Sequence, residues 1–189
     1  MVDSASLPNV LLIAGSLRKQ SLNRQLAEQA AAVIGDRAHT ELLEWADVPV
    51  FNQDIEFPAP QPVTRVRKAV KEADALWVVT PEYNHGVPGP LKNLVDWLSR
   101  PTEDGGEGVI VGKTVTFSSV AGSSCGRYSL GGWLPTLDFL KLQVAAANFT
   151  GASFDRAQFT NSVLKLSKTA RESLEEQASA LLKALEARA

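Results

Sequence analysis

Short apolar runs alternate with segments of helical periodicity along this chain, and that alternation limits its fold more than any other feature. Asn9–Ala14 is an apolar run typical of a strand that is covered on both faces, and it ends at Gly15. Between Ser21 and Ile34 apolar residues recur every four positions, and Gly35 follows where a helix would end. The same unit of strand, loop and helix is then repeated towards the end of the chain.

This pattern predicts five strands and five helices. The predicted strands are 9–14, 40–43, 75–80, 114–119 and 142–145, and the predicted helices are 21–34, 62–73, 90–98, 133–139 and a last one from about 167. Parallel strands need crossover connections, and these are nearly always right-handed helices, so the fold class is α/β with a doubly wound parallel sheet. No element is predicted for residues 146–165, which show no clear period. Ligands of such sheets bind at the carboxyl ends of the strands, which directs attention to the loops after the first, third and fourth strands.

The length and composition are those of one globular unit. A chain of 189 residues is predicted to form a single domain, residues 1–189, and it contains no apolar run long enough to cross a membrane. The first ten residues have neither a basic start nor a long apolar stretch, so no secretory signal is expected and the predicted location is cytoplasmic.

The charge pattern does not favour a nucleic-acid partner. The net charge of -2 gives no general attraction for a phosphate backbone, which normally requires clustered basic residues. Arg65, Arg67, Lys68 and Lys71 do fall close together, but their spacing predicts the outer, solvated side of a helix.

Cys125 and His85 have side chains that can take part in metal or redox chemistry. Cys125 is the single cysteine, so it can form no internal disulfide and no thiolate metal site, and either a ligand contact or an inert thiol remains open for it. His85 has no second histidine or cysteine near it in sequence, so no metal is expected there.

The loop after the first strand, residues 15–23, suits a bound anion. Ser16, Ser21 and Asn23 offer small polar side chains, Arg18 offers a planar cation, and the start of the following helix adds free backbone amides. The loop has neither the G-x-x-x-x-G-K-[ST] pattern nor the G-x-G-x-x-G pattern, so a phosphate monoester such as that of FMN is favoured over ATP or tightly held NAD. The structural alternative is that Ser21 only caps the helix while Ser16 only shapes a turn.

The loop after the third strand, Pro81–Gly89, contains two prolines and two glycines in nine residues. Such a segment combines rigid positions with positions of close backbone approach, as a surface against a flat ring would require. Tyr83 and His85 could pack beside that ring, and Asn84 could reach its polar edge. The alternative is an ordinary turn from strand to helix, with Tyr83 in the core.

The two loops together resemble a known family. Gly15-Ser-Leu-Arg-x-x-Ser-x-Asn23, followed by Pro81-Glu-Tyr-Asn-x-Gly-Val-Pro-Gly-x-Leu-Lys-Asn-x-x-Asp-Trp-Leu-Ser-Arg100, is similar to the NADPH-dependent FMN reductase family, which includes quinone, chromate and azo-dye reductases. The likeness covers roughly residues 9–145. Asp47–Asp54 is similar to a further family segment, which in relatives lies near the flavin and the subunit interface.

The resemblance implies a flavodoxin-like three-layer sandwich with a five-stranded parallel sheet in the order 2-1-3-4-5. It also implies which residues bind FMN. The phosphate would be held by Ser16, Arg18, Ser21, the backbone of Leu22, and Asn23; the isoalloxazine would be lined by Pro81, Glu82, Tyr83 and Asn84; the third loop would add Ser118, Ser119 and Gly122 at the flavin edge. Where relatives often have paired glycines, this chain has Cys125-Gly126, so its substrate pocket is expected to differ.

The implied activity is transfer of hydride from NADPH or NADH, through bound FMN, to a quinone or a similar acceptor such as free flavin, an azo dye or chromate. No catalytic side chain is expected, because the flavin carries the chemistry. The resemblance further implies a homodimer or homotetramer, for which Trp45 and Phe51 are expected as exposed aromatics. The alternatives are a one-electron carrier like flavodoxin and a module that has lost its flavin.

Overall fold

A parallel sheet with the strand order β2-β1-β3-β4-β5 forms the centre of the computed structural model, which describes residues 7–145 and 149–188. Its strands are β1 (Asn9–Ala14), β2 (His39–Leu42), β3 (Ala75–Val79), β4 (Thr114–Ala121), β5 (Gln143–Val144) and β6 (Thr150–Ser153). The predicted flavodoxin-like order is therefore confirmed. The expectation about a secretory signal concerned residues 1–10, of which residues 1–6 lie outside the described residues.

Strand β6 was not predicted, because Thr150–Ser153 is short and consists of small residues with little apolar character. It pairs with β4 from Ser118 to Ala121, whereas β5 pairs with Thr114 and Val115. The two strands therefore follow one another along the same edge of β4 and share the fifth position of the sheet. Residues 146–148, which begin the segment without a predicted element, lie outside the described residues.

The α-helices of the described chain cover both faces of the sheet. They are α1 (Leu22–Ile34), α2 (Gln61–Glu72), α3 (Gly89–Ser99), α4 (Arg127–Gly132), α5 (Leu134–Phe139), α6 (Arg156–Asn161) and α7 (Lys168–Glu186). One apolar core packs α1 and α7 against the side of the sheet that carries Val10 and Trp77. The other packs α2, α3 and α5 against the side that carries Leu11 and Leu76, since successive strand residues point to opposite faces. None of the described helices is both long and apolar enough to cross a bilayer.

The helix predicted over 133–139 is present as α5, but a separate short helix, α4, precedes it. Gly131 and Gly132 end α4, and Pro135 lies in the first turn of α5. Glycine is a poor interior helix residue and proline is tolerated only in the first turn, so the sequence here favours two short helices over one long helix.

Two side chains that were predicted at the surface are buried. Arg67 is only 7% exposed, and its Nε and Nη2 donate to the carbonyl oxygen of Trp97 at 3.2 and 3.1 Å. Trp45 is 5% exposed and donates from Nε1 to the carbonyl of Ala14 at 3.2 Å. Both predictions of an exposed side chain were wrong. The Arg67 guanidinium and the Trp45 indole N–H each donate to a backbone carbonyl that is distant in sequence, which allows these polar groups to be buried.

Candidate functional site

The first loop leaves the sheet at Gly15, where no side chain would fit. The Gly15 amide donates to the carbonyl of Val79 at 2.8 Å. A Cβ added at Gly15 would lie 2.6 Å from Leu91 Cδ2 and 2.9 Å from Pro81 Cδ. Gly15 thus allows the first loop to lie directly against Pro81, the first residue of the second loop.

Ser21 and Asn23 use their side chains within the protein. Ser21 Oγ caps α1 by accepting from the amides of Asn23 and Arg24 at 3.1 and 3.3 Å. Asn23 lies in the first turn of α1 and ties it to β4, because Nδ2 donates to the carbonyl of Val120 at 2.9 Å while Oδ1 accepts from the amide of Val120 at 2.9 Å. Both residues are buried, so they fix the position of the loop, and their predicted contact with a phosphate stays a prediction.

Backbone amides supply the donors that an anion would need in the first loop. The amides without a hydrogen-bond partner among the described residues are those of Ser16, Leu17, Lys19, Gln20 and Leu22. These amides lie before and at the N-terminus of α1, where the helix dipole also favours negative charge. This donor set fits the phosphate monoester of FMN, and it includes Leu22, whose backbone was predicted to take part.

The second loop contains a tight turn that presents its side chains to solvent. The amide of Gly86 donates to the carbonyl of Tyr83 at 3.0 Å, and the two residues between them, Asn84 and His85, have φ values of 50° and 56°. Two positive φ values in succession are the signature of a type I′ turn. Tyr83 is 48% exposed, so the alternative in which it lies in the core is excluded. Backbone in this region of φ is costly for residues other than glycine, and such strain concentrates at functional sites.

The first and second loops meet at Tyr83 and Ser16. The hydroxyl of Tyr83 lies 3.4 Å from Ser16 Oγ, at the long end of hydrogen-bonding distance. Pro81 is buried beneath this contact, whereas Tyr83 and Asn84 are exposed above it. The predicted anion cradle and the predicted ring surface are therefore neighbours, as a ligand with a flat ring and a phosphate would require.

Glu82 joins the second loop to the third. Its Oε1 accepts from Ser124 Oγ at 2.6 Å, and its Oε2 accepts from the amides of Tyr128 and Ser129 at 2.9 and 3.3 Å. Burial alone raises the pKa of Glu82, but the hydrogen bonds from Ser124, Ser129 and Tyr128 and the charge of His85 outweigh it and lower that pKa below its ordinary value. Glu82 is therefore an ionised anchor for the start of α4.

Ser118 and Ser119 lie in the interior. Ser118 Oγ accepts from Trp77 Nε1 at 2.9 Å and donates to Gln177 Oε1 at 3.0 Å, while Ser119 Oγ donates to the carbonyl of Thr80 at 2.6 Å. Their side chains cannot reach a ligand without leaving these partners, and their predicted contact with the flavin edge stays a prediction. Gly122 is half-buried in the loop, and a Cβ added to it would meet no atom within 4 Å.

Aromatic and charged side chains form a rim beside the second loop. The His85 ring stacks on that of Tyr128, with centroids 4.2 Å apart and an interplanar angle of 26°. The Arg127 guanidinium lies over the Tyr128 ring, with its Cζ 4.6 Å from the ring centroid. Neither Tyr128 nor Arg127 was predicted at the site, although their place directly after the unusual Cys125-Gly126 pair was a signal. Cys125 is a free, partly exposed thiol, so both a ligand contact and an inert thiol stay open for it.

Two residues of the second motif, Asn93 and Trp97, contact the 47–54 segment, and a third, Arg100, contacts Glu56 just after it. Asn93 accepts from the amide of Phe51 at 2.7 Å and donates to the carbonyl of Pro49 at 2.9 Å, and Trp97 Nε1 donates to the same carbonyl at 2.8 Å. Arg100 Nε pairs with the buried Glu56 at 2.8 Å. These contacts explain why α3 carries polar residues on the side that faces this segment.

Other features of the described chain lie away from this site. A groove of about 1080 Å³ lies at the opposite, amino ends of the strands, lined by residues such as Asp74 and Thr114, and it contains none of the predicted site residues. Because ligands of doubly wound sheets bind at the carboxyl ends, the three loops are the candidate functional site. Within residues 7–145 and 149–188 no group of three or more His, Cys, Asp and Glu is arranged to hold a metal ion.

Comparison with known proteins identifies the family of the chain. The profile of the family described as NADPH-dependent FMN reductase matches residues 8–156. A quinone reductase of Pseudomonas putida is 38% identical over 122 residues, which are 64% of this chain and 63% of that protein. A quinone reductase of Escherichia coli is 35% identical over 136 residues, which are 68% of this chain and 70% of that protein. The match thus spans less than two thirds of the Pseudomonas relative.

Among solved structures, the FerB flavoenzyme NAD(P)H:acceptor oxidoreductase of Paracoccus denitrificans superposes with a TM-score of 0.81. The alignment covers 95% of this chain and 97% of that chain at 24% sequence identity. A likeness at this level of identity shows that the two chains share a fold.

Proposed function

Because the chain belongs to the NADPH-dependent FMN reductase family, we propose that it is an FMN-dependent oxidoreductase that passes hydride from NAD(P)H to quinones. The observation that carries the proposal is the meeting of the amide-rich first loop with the second loop, where Tyr83 Oη lies 3.4 Å from Ser16 Oγ. The donors fit a phosphate monoester, and the neighbouring exposed turn fits the edge of a flat ring. Like the quinone reductases to which it is similar, the protein is proposed to use a quinone, or a free flavin, as electron acceptor.

The residues of this chain bind and orient, while the cofactor supplies the redox chemistry. When bound, FMN would supply the two-electron redox chemistry between a nicotinamide and an acceptor. The amides of the first loop and Arg18 hold the phosphate, and Pro81, Glu82, Tyr83 and Asn84 form one border of the ring site. With one proton taken from water, hydride from NAD(P)H converts a quinone to its hydroquinone, so atoms and electrons balance. Among the described residues no side chain needs to act as an acid.

The decisive experiment is an anaerobic titration of the purified, FMN-loaded protein with NADPH and then with a quinone. We expect the visible flavin absorbance to disappear on addition of NADPH and to return on addition of the quinone. A protein that holds FMN but is not reduced by NADPH or NADH would instead support the one-electron carrier. A protein that takes up no FMN would overturn the proposal altogether.

Arg18→Ala tests the phosphate assignment within the same proposal. It is expected to weaken FMN binding, whereas Lys68→Ala, which removes a cation from the exposed outer face of α2, should leave it unchanged. Equal FMN affinities in the two variants would show that Arg18 does not contact the phosphate.

The length and composition of the chain, together with its family membership, support a wider proposal. We propose a single domain over residues 1–189 that works in the cytoplasm as a homodimer or homotetramer, with azo dyes and chromate as further acceptors. The oligomer is supported by apolar residues of the segment after β2, since Val50 is 82% exposed and Phe57 is 50% exposed. Sedimentation at several protein concentrations measures the oligomeric state directly.

A further inference from the structure

The segment 154–164, for which the sequence predicted no element, lies beside the first loop. Asp155 caps α6 by accepting from the amide of Gln158 at 2.7 Å, and Ser162, which follows the last helical residue, has a φ of 53°. Phe154 and Phe159 stack across the helix, with centroids 5.5 Å apart. The segment is thus a short, internally braced structure.

Gln25 of α1 fixes the end of this segment. Its Nε2 donates to the carbonyl of Ser162 at 2.8 Å, and its Oε1 accepts from the amide of Leu164 at 2.8 Å. Leu164 is 7% exposed and belongs to the core that contains α1 and α7. Because α1 begins directly after the first loop, Ser162 is held at a defined distance from that loop.

Arg18 contacts two side chains of the segment. Its Nη2 donates to Ser162 Oγ at 2.7 Å, and its Cζ lies 5.0 Å from the centroid of the Phe159 ring. A guanidinium has five N–H groups, so the bond to Ser162 leaves the others available for an anion. An exposed arginine loses considerable rotamer freedom when it binds a ligand. The contacts with Ser162 and Phe159 restrict the Arg18 side chain before any ligand binds.

We infer that Ser162 and Phe159 are positioning residues that hold the Arg18 guanidinium ready for the FMN phosphate. The inference rests on the proposed function, and it adds a wall to the phosphate site that neither loop motif contains. Pre-organisation lowers the entropic cost of binding, so the affinity for FMN depends on a segment far from the loop in sequence. Riboflavin has the same ring but no phosphate, so its affinity does not depend on the position of the Arg18 guanidinium.

The test compares FMN with riboflavin on full-length protein stripped of flavin, with dissociation constants taken from the quenching of flavin fluorescence. Ser162→Gly removes the hydroxyl and suits the positive φ, and Phe159→Leu removes the ring face while it keeps an apolar side chain. Each is expected to weaken FMN binding about three- to tenfold and to leave riboflavin binding unchanged. Ser179→Ala is the control. It removes a hydroxyl whose hydrogen bond lies within α7, so it should change neither the FMN affinity nor the riboflavin affinity.

A double-mutant cycle identifies the route of the effect. In the Arg18→Ala background, Ser162→Gly should have no further effect on FMN binding, because the group that it positions is absent. Equal losses of FMN and riboflavin affinity would overturn the inference in favour of a purely structural wall. Tighter FMN binding by Ser162→Gly would also overturn it, by showing that Ser162 holds Arg18 away from the phosphate. Wild-type protein that binds neither flavin would contradict the proposed function itself.

Discussion

The carboxylate of Glu82 accepts a hydrogen bond from the amide of Tyr128 at 2.9 Å, across 46 residues of sequence. The same carboxylate bonds Ser124 and the amide of Ser129, so one side chain of the second loop determines where the third loop ends and α4 begins. Between them these two loops carry most of the predicted ring site. Their relative position therefore depends in part on one ionised group.

Replacement of Glu82 by alanine is expected to destabilise the protein by about 1–3 kcal/mol, because two amides and a hydroxyl lose their acceptor. Glu82→Gln should cost less, since its amide oxygen can still accept from the backbone while its NH₂ group donates to Ser124. Urea unfolding of the three proteins measures the difference. If the alanine and glutamine variants were equally destabilised, the hydrogen bonds would not be the cause.

The lowered pKa of Glu82 predicts a specific pH dependence of stability. Its folded-state pKa lies below that of an unfolded glutamate, about 4.3, so its stabilising contribution is complete above that pH and is lost as the pH falls through the folded value. The difference in unfolding free energy between wild type and Glu82→Gln should therefore shrink as the solution is acidified. A difference that stayed constant down to the lowest pH would contradict the assigned pKa shift.

The sequence predicted those parts of the fold whose signal is local. The buried run 75–79 and the four-residue period of α1 indicate their elements without reference to the rest of the chain. The first loop could be singled out for the same reason, since its small polar residues stand together between a strand and a helix, and its phosphate contact stays a prediction.

Contacts between residues that are distant in sequence could not be predicted in this way. Ser118 has the same appearance in sequence as a loop serine, but it bonds Trp77 and Gln177 in the core. Arg67 has the spacing of an outward-facing residue, yet it bonds a carbonyl of α3. The partner of Arg18 was hidden as well, because Ser162 lies 144 residues away in a segment without periodicity.

Gly15→Ala tests the close approach of the first two loops. The added methyl would lie 2.6 Å from Leu91 Cδ2 and 2.9 Å from Pro81 Cδ, so overpacking should cost about 1–3 kcal/mol and weaken FMN binding as the loops move apart. Gly89→Ala is the matched control, because a Cβ there meets nothing within 4 Å and the position lies in a helix. Thermal unfolding and flavin titration of both variants measure the effect, and equal behaviour of the two would refute the close contact.

Asn93→Ala should release the segment after β2 from α3. Asn93 accepts from the amide of Phe51 and donates to the carbonyl of Pro49, and since both bonds are partly buried their loss should cost about 1–2 kcal/mol. Hydrogen exchange gives the specific readout, because the amide of Phe51 should lose protection while amides in β3 keep theirs. Asp96→Ala, which removes only an exposed ion pair with Lys92 one turn away, should change stability by no more than about 0.5 kcal/mol and leave the Phe51 amide protected. Unchanged exchange at Phe51 in Asn93→Ala would mean that Trp97, which shares the Pro49 carbonyl, holds the segment by itself.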